Sequence, residues 1–304
     1  MCTTCGCGDT ELVPVELHEK ILAGNDRAAR HNREHFLEAG VLALNIMGSP
    51  GAGKTGVLEA TAKAGAARGW RLGAVSADLA TDNDARRLEK AGIPSRAITT
   101  GQACHLDAEL VHRSLHDMPW RETDVFFIEN VGNLVCPAIY DLGQAANVVV
   151  LSVTEGEDKP LKYPVMFKAA DLVLVTKIDL VPHLDVDLGK LRDAIGRVMP
   201  TAKIIELSAR SGVGMEQWVE WLAALKAGLP GRGAKAGQGH THPHAHGLDF
   251  SHAHTHQHEH EHAHGGERHS HPHAHAHAHG HSHGAGEGHD HQHGGEHGDH
   301  DHEH

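Results

Sequence analysis

The chain has 304 residues, with 27 Lys and Arg against 40 Asp and Glu, and 33 His. Of those histidines, 26 fall between positions 240 and 304, beside ten acids, one arginine (Arg268) and almost no large apolar side chain beyond Leu248 and Phe250, so that segment cannot bury a core that would repay its folding entropy. The other 239 residues hold 26 basic and 30 acidic residues, a net charge of −4; this balance excludes a nucleic-acid partner gripped by a basic patch, and no apolar run approaches the roughly 18–20 residues that would cross a membrane.

Residues 1–9 form a Cys- and Gly-rich head, Met1-Cys2-Thr3-Thr4-Cys5-Gly6-Cys7 at its start. It lacks the basic and apolar parts of a secretory leader, which predicts a cytoplasmic protein. Five cysteines in a chain long enough to fold unaided predict thiolate or metal chemistry rather than a disulfide framework. Residues 10–39 are expected as a helical extension, since Leu17, Ile21, Leu22, Phe36 and Leu37 keep helix-like spacing; Gly24-Asn25 predicts a break into two pieces. Residues 40–229 are expected as one α/β domain. The run 41–47 reads as a buried strand, followed by a Gly-rich turn and a helix over 53–68. Further strands are predicted at 71–77, 125–128, 148–153, 172–176 and 204–207, with helices between most of them. Such alternation predicts a mostly parallel sheet covered on both faces. Pro230-Gly231-Arg232-Gly233 opens the exit, and residues 230–304 are expected as a disordered His-rich tail.

Between the first strand and its helix stands Gly48-Ser49-Pro50-Gly51-Ala52-Gly53-Lys54-Thr55, which matches G-x-x-x-x-G-K-S/T without a gap. Glycines let successive backbone N–H groups curl round a phosphate with no Cβ in the way, and the following helix aims its positive end at the anion. Lys54 supplies charge to the β and γ oxygens, and the Thr55 hydroxyl is placed to ligate Mg²⁺. The pattern arises by accident in about one chain of this length in a hundred. Thr176-Lys177-Ile178-Asp179 resembles the guanine-selecting N/T-K-x-D element: the Asp179 carboxylate can accept from both N1–H and N2–H₂ of guanine, and the Lys177 stem can lie along the base. Ser208-Ala209 resembles the loop that backs the guanine O6. The alternative for these positions is a solvated strand end. In this order they support GTP and GDP over adenine nucleotides.

Asp78 and Glu129 each close a strand, where acids hold Mg²⁺ or its waters beside such a loop; the alternative is a helix cap or a surface charge. Glu129-Asn130-Val131-Gly132 resembles a switch turn in which the Gly132 N–H can reach the γ-phosphate. No glutamine stands where it would position water, which predicts slow intrinsic hydrolysis.

Cys104-His105 precedes Glu129, and Cys136 lies four residues past Gly132, on the segment that would respond to the γ-phosphate. A Zn²⁺ or Ni²⁺ ion held by Cys104, His105 and Cys136 would sense the bound nucleotide; the alternative is two unrelated buried cysteines and a surface histidine. Cys2, Cys5 and Cys7 make a compact trithiolate claw for Ni²⁺ or Zn²⁺, with a redox pair as the alternative. The tail's imidazoles make a weak, high-capacity metal store that empties below about pH 6.5, or else a pH-dependent solubilising segment.

The Cys-rich head, the 48–55 loop and the segments SADLATDNDA, ACHLDA, ENVGNLVCPA, TKIDL and LSARSG together resemble the nickel-incorporation GTPases of nickel–iron hydrogenase maturation, the HypB family, over residues 1 to about 229. The resemblance implies a P-loop GTPase of the SIMIBI class, a head that binds nickel tightly, and a second Ni²⁺/Zn²⁺ site near a subunit interface at the positions of Cys104, His105 and Cys136. It also implies a GTP-favoured homodimer, and hydrolysis coupled to nickel delivery toward a HypA-type chaperone and the hydrogenase large subunit. Three departures stand out. The histidines lie at the C-terminal end rather than after the head, Pro50 occupies the loop interior where no lysine can act in trans, and position 176 is Thr rather than Asn. A urease nickel GTPase, the nearest rival, would carry Cys-Pro-His where this chain has Ala103-Cys104-His105. A rival of another class is a pure metal store with a vestigial GTPase domain.

Overall fold

The computed structural model describes residues 22–78, 81–101, 105–201 and 203–230, together with the backbone of 15–21, 254–264 and 267–277. The chain divides into two units, Met1–Gly247 and Leu248–His304. Cys2, Cys5, Cys7 and Cys104 lie outside the described residues.

In the first unit, helix α1 (Val15–Glu38) leads into β1 (Leu42–Met47), α2 (Lys54–Ala66), β2 (Leu72–Asp78), α3 (Asn83–Lys90), β3 (Ser95–Thr99), α4 (Ala108–Leu115) and β4 (Val125–Glu129). Next come β5 (Ala146–Ser152), two short helical turns α5 (Lys159–Lys162) and α6 (Pro164–Lys168), β6 (Leu172–Thr176), α7 (Leu188–Val198), β7 (Ile204–Glu206) and α8 (Met215–Ala227). The seven strands form one sheet in the order β3-β2-β4-β1-β5-β6-β7, parallel at every pairing. An all-parallel sheet needs both faces covered. β1 accordingly alternates its buried residues, with Leu42, Leu44 and Ile46 packing toward α2 and α8 (Val57, Leu58, Trp218, Leu222). Ala43 packs on the other face, with Phe36 of α1 and Val111 and Leu115 of α4. Met47 packs with Phe167, Leu191 and Ile195 under α6 and α7. No described helix is long and apolar enough to cross a membrane.

The expected break at Gly24-Asn25 is not there: α1 is one helix. Glycine inside a helix costs about 1 kcal/mol, and Asn25 offsets it by donating to the Asp141 carbonyl at 2.8 Å and accepting from the Ala108 N–H at 2.9 Å. The same face of α1 meets Gly143, whose φ is +87° and whose Cβ, if present, would lie 2.6 Å from both the Ala29 carbonyl oxygen and Asn32 Cβ. Gly143→Ala is therefore expected to cost about 2–4 kcal/mol, read as a lowered thermal midpoint. Gly92→Ala, at φ +85° but facing open space, carries the backbone strain alone and should cost about 1 kcal/mol.

In the second unit β8 (His254–His264) pairs antiparallel with β9 (Glu267–His277), from His254↔His277 to His264↔Glu267. The expectation there is an unfolded chain; alternation of His with other residues matches the two-residue period of a strand. A lone two-stranded ribbon has little stability of its own in water.

Candidate nucleotide site

The turn from β1 to α2 depends on backbone shapes that side chains resist. Gly51 has φ +76° and Gly53, at the N-cap of α2, has φ +99°. A Cβ on Gly48 would stand 2.3 Å from the Val150 carbonyl oxygen of β5. Lys54 folds back over this loop, its Nζ donating to the Gly48 and Ser49 carbonyls at 3.1 and 3.2 Å. Burial lowers its pKa, while the Glu129 carboxylate opposes that shift. A phosphate would oppose it in the same direction, so the ammonium is poised to leave two weak acceptors for a stronger one.

A cleft of about 670 Å³ opens above the loop, lined by Gly51, Gly53, Lys54, Thr55, Asp78, Glu129, Gly132, Lys177, Asp179, Ser208 and Ala209. Gly48 and Ala52 are not part of its wall. Gly48 packs beneath the loop on β5, and Ala52 is fully buried, its carbonyl held by the Thr176 hydroxyl at 2.6 Å.

The two strand-end acids are unlike each other. Glu129 is 2% exposed and accepts from the Thr55 hydroxyl at 2.7 Å and from the Ser76 hydroxyl at 3.0 Å. Burial pushes its pKa up, against the pull of the Thr55 hydrogen bond and of Lys54. Hydroxyl and carboxylate oxygens are the donors Mg²⁺ takes, and a buried carboxylate short of positive charge is what a dication would relieve; the donor set fits the ion. Asp78 shares the cleft, but its carboxylate accepts from the Thr81 N–H at 3.3 Å and hydroxyl at 3.1 Å. Sequence reasoning missed Asp84 and Arg87, which line the same wall. Arg87 forks onto Glu59 at 3.0 and 2.7 Å and reaches Asp84 at 3.2 Å. Both lie just past Asp78, and Asp84 belongs to the SADLATDNDA string, the signal that was available.

At the other end, Lys177 adopts φ +59°, the one left-handed non-glycine among the described residues, and its Nζ donates to the Gly51 carbonyl at 2.6 Å. With the Thr176 hydroxyl on Ala52, two side chains tie this loop to the phosphate loop. Threonine at position 176 thus retains a tether through its hydroxyl. Asp179 accepts from the buried Ser208 hydroxyl at 2.6 Å through Oδ1.

The third wall carries the ENVG turn. Gly132 packs against Pro50 so tightly that a Cβ would come within 2.8 Å of the ring, and Gly48 forms an antiparallel bridge with Asn133. Three residues on, Cys136 opens a buried 3-10 turn. Asn130 ties this turn to the segment after Cys104: its Oδ1 accepts from the N–H groups of Leu106 and Val131 at 3.2 and 3.0 Å. His105 is 3% exposed, not a surface histidine, and stacks on Tyr140 with ring centroids 3.9 Å apart. Burial lowers its pKa, with Asp107 opposing.

Residues 42–206 match the family model described as CobW/HypB/UreG, nucleotide-binding domain. The chain is 48% identical over 208 residues to the hydrogenase maturation factor HypB of Azotobacter chroococcum mcd 1, covering 68% of each protein. It is 44% identical over 223 residues to the factor of the same name from Escherichia coli strain K12, covering 71% of this chain and 74% of that one. Among solved structures it resembles HypB from Helicobacter pylori in complex with nickel, at 38% identity and a TM-score of 0.64, covering 67% of this chain and 95% of that one. With a phosphate loop, a second loop at residues 176–179 tied to it and these relatives, the chain belongs to the HypB family of hydrogenase maturation factors.

Proposed function

We propose that the chain is a GTP-hydrolysing nickel metallochaperone that binds, stores and delivers Ni²⁺ for hydrogenase maturation. The observation that carries this reading is the contact of Gly132 with Pro50 and of Asn133 with Gly48, which joins the phosphate loop to the turn bearing Cys136. Asp179 and Lys177 take the guanine, Lys54 moves from its own loop carbonyls to the β and γ oxygens, and Thr55 and Glu129 would hold Mg²⁺, with Asp78 as a further carboxylate in the same cleft. When bound, Mg²⁺ neutralises charge on the β and γ phosphates. Water attacks the γ-phosphorus, the bond to the β–γ bridging oxygen breaks, and GDP and phosphate leave. Among the described residues no glutamine lines the cleft to orient that water, so turnover is slow.

Loss of the γ-phosphate removes the partner of the Gly132 N–H. Because Gly132 packs directly against Pro50, the turn shifts as a body and carries Cys136 with it. Cys104, His105 and Cys136 hold the cargo ion, Ni²⁺ or Zn²⁺, and release it on hydrolysis. Cys2, Cys5 and Cys7 capture nickel, and the tail histidines store it. The H. pylori relative's nickel complex supports nickel as cargo. The GTP form is a homodimer that hands nickel to a HypA-type chaperone or the hydrogenase large subunit.

Titrations of the full-length chain with Ni²⁺, in GDP and in a non-hydrolysable GTP analogue, test the linkage. The two curves are expected to differ by about 5–150-fold in affinity at one site, and Cys136→Ala is expected to merge them while the capacity of head and tail stays. Coincident curves for the unaltered chain would make it a passive store instead.

A further inference from the structure

Helices α1 and α4 pack side by side, and each carries two histidines one turn apart: His31 and His35 on α1, His112 and its C-cap neighbour His116 on α4. The Nε2 atoms of His31 and His35 are 3.0 Å apart, and those of His112 and His116 are 3.3 Å apart. Across the two helices, ring nitrogens of His31, His35 and His112 all lie within 4.8 Å of one another. His105 and Cys136 are not in this group.

The orientation of His112 is fixed by what lies beneath it. The fully buried Asn32 donates through Nδ2 to the carbonyls of Ala108 at 2.8 Å and Leu142 at 3.1 Å. Its Oδ1 is therefore left as an acceptor, and it stands 3.1 Å from His112 Nδ1. That pairing places the His112 proton on Nδ1 and leaves Nε2 with a lone pair. A ligating histidine is held in this way, its second nitrogen donating to a buried acceptor. His31 is exposed, while His35 and His112 are half-buried, so the cluster has an open side. Arg121 opposes a cation there, and Glu38 and Glu109 offset it.

We infer that His31, His35 and His112, with His116 as a fourth donor, form a binding site for a borderline divalent transition cation such as Zn²⁺ or Ni²⁺, bridging α1 and α4. Imidazole nitrogens suit that class and not Mg²⁺ or Ca²⁺. Ligands about 2.0–2.1 Å from a tetrahedral ion stand roughly 3.3–3.4 Å from each other. Two of the pairs are already near that spacing, and the outer rings close the rest by rotating about their own side-chain bonds. The site does not depend on nucleotide or on the Cys136 turn, so its failure would leave the nickel-delivery reading standing.

Peptide-resolved hydrogen exchange on the full-length chain in constant GDP, with and without Zn²⁺, tests the site. An ion held by His31, His35 and His112 ties residues 27–38 to α4, and loss of the effect in a variant altered only at His31 and His35 separates it from ions held elsewhere in the chain. Zn²⁺ is expected to slow exchange across 27–38 at least tenfold, and His31→Gln with His35→Gln to abolish the effect while GTP affinity, which reports folding, stays unchanged. Cys136→Ala is expected to retain it. Absence of protection in the unaltered chain, its persistence in the double variant, or its loss in Cys136→Ala would each overturn the assignment.

Discussion

Replacing Asp179 with Asn is expected to lower GTP affinity by about 10²–10⁴-fold and to turn the preference toward xanthosine triphosphate. Guanine offers two donors on one edge, N1–H and N2–H₂, and a carboxylate accepts both. Hydrogen bonds to a charged group contribute roughly 1.5–3 kcal/mol each, and two of them account for that range of affinity. The Ser208 hydroxyl occupies Asp179 Oδ1 and fixes the rotation of the group, so in the proposed complex the remaining oxygen and the lone pairs left over would face the base. In the Asp179→Asn variant the amide NH₂ replaces one oxygen and meets a guanine donor head-on, a repulsion added to the lost bond. Xanthine carries a carbonyl where guanine has its amino group, and the amide donates to it. Ser208 still donates to the amide oxygen, so the thermal midpoint of the nucleotide-free protein should barely move. Titration with fluorescent GTP and XTP analogues decides the matter: unchanged preference for GTP would put the base somewhere other than beside Asp179.

How much of this was legible in the chain follows from how local each feature is. The central strands β1, β5 and β6 announce themselves because burial on both faces demands an unbroken apolar run. Edge strand β3 does not, since within Ser95–Thr99 only Ile98 is buried; its sequence reads as loop. The expected break in α1 failed for the opposite reason. Gly24-Asn25 is a local stop signal, overridden by Asn25 bonding to residues 83 and 116 positions away. The phosphate loop and the base loop are contiguous motifs and so were readable residue by residue. The tethers between them, from Thr176 and Lys177 to Ala52 and Gly51, were not. Neither was the difference between Asp78 and Glu129: both end a strand, and only the packing shows that one accepts from Thr81 while the other accepts from Thr55. The histidines of α1 and α4 lie too far apart in sequence for spacing to connect them, and Asn32, which orients His112, reads as an ordinary helix residue.

Glu129→Gln is expected to slow GTP hydrolysis about 10²-fold or more, the range seen when one group that organises transition-state charge is removed, and at the same time to stabilise the nucleotide-free protein at neutral pH. The sign follows from burial. Desolvation raises the folded-state pKa of Glu129 above its unfolded value. The group is therefore no burden below the unfolded carboxylate pKa of about 4.3, and stability is lost as the pH rises through the folded value, where a charge must be held away from water. Glutamine keeps an oxygen for Thr55 and an amide for Ser76 but never ionises. A gain on the order of 1 kcal/mol would raise the midpoint by about 2–4 °C in a domain of this size, and the gap between variant and parent should close as the pH falls toward about 4.3. Adding Mg²⁺ and GTP should reverse the order, because the parent carboxylate then faces the positive charge it lacks in the empty protein, while the amide gains nothing comparable. Melting curves at neutral and at mildly acidic pH, with and without Mg²⁺ and GTP, read all three effects together. A variant that hydrolyses GTP at the parental rate would remove Glu129 from the metal site, and one that melts lower than the parent at neutral pH without ligand would mean that its carboxylate is satisfied by Thr55, Ser76 and Lys54 alone.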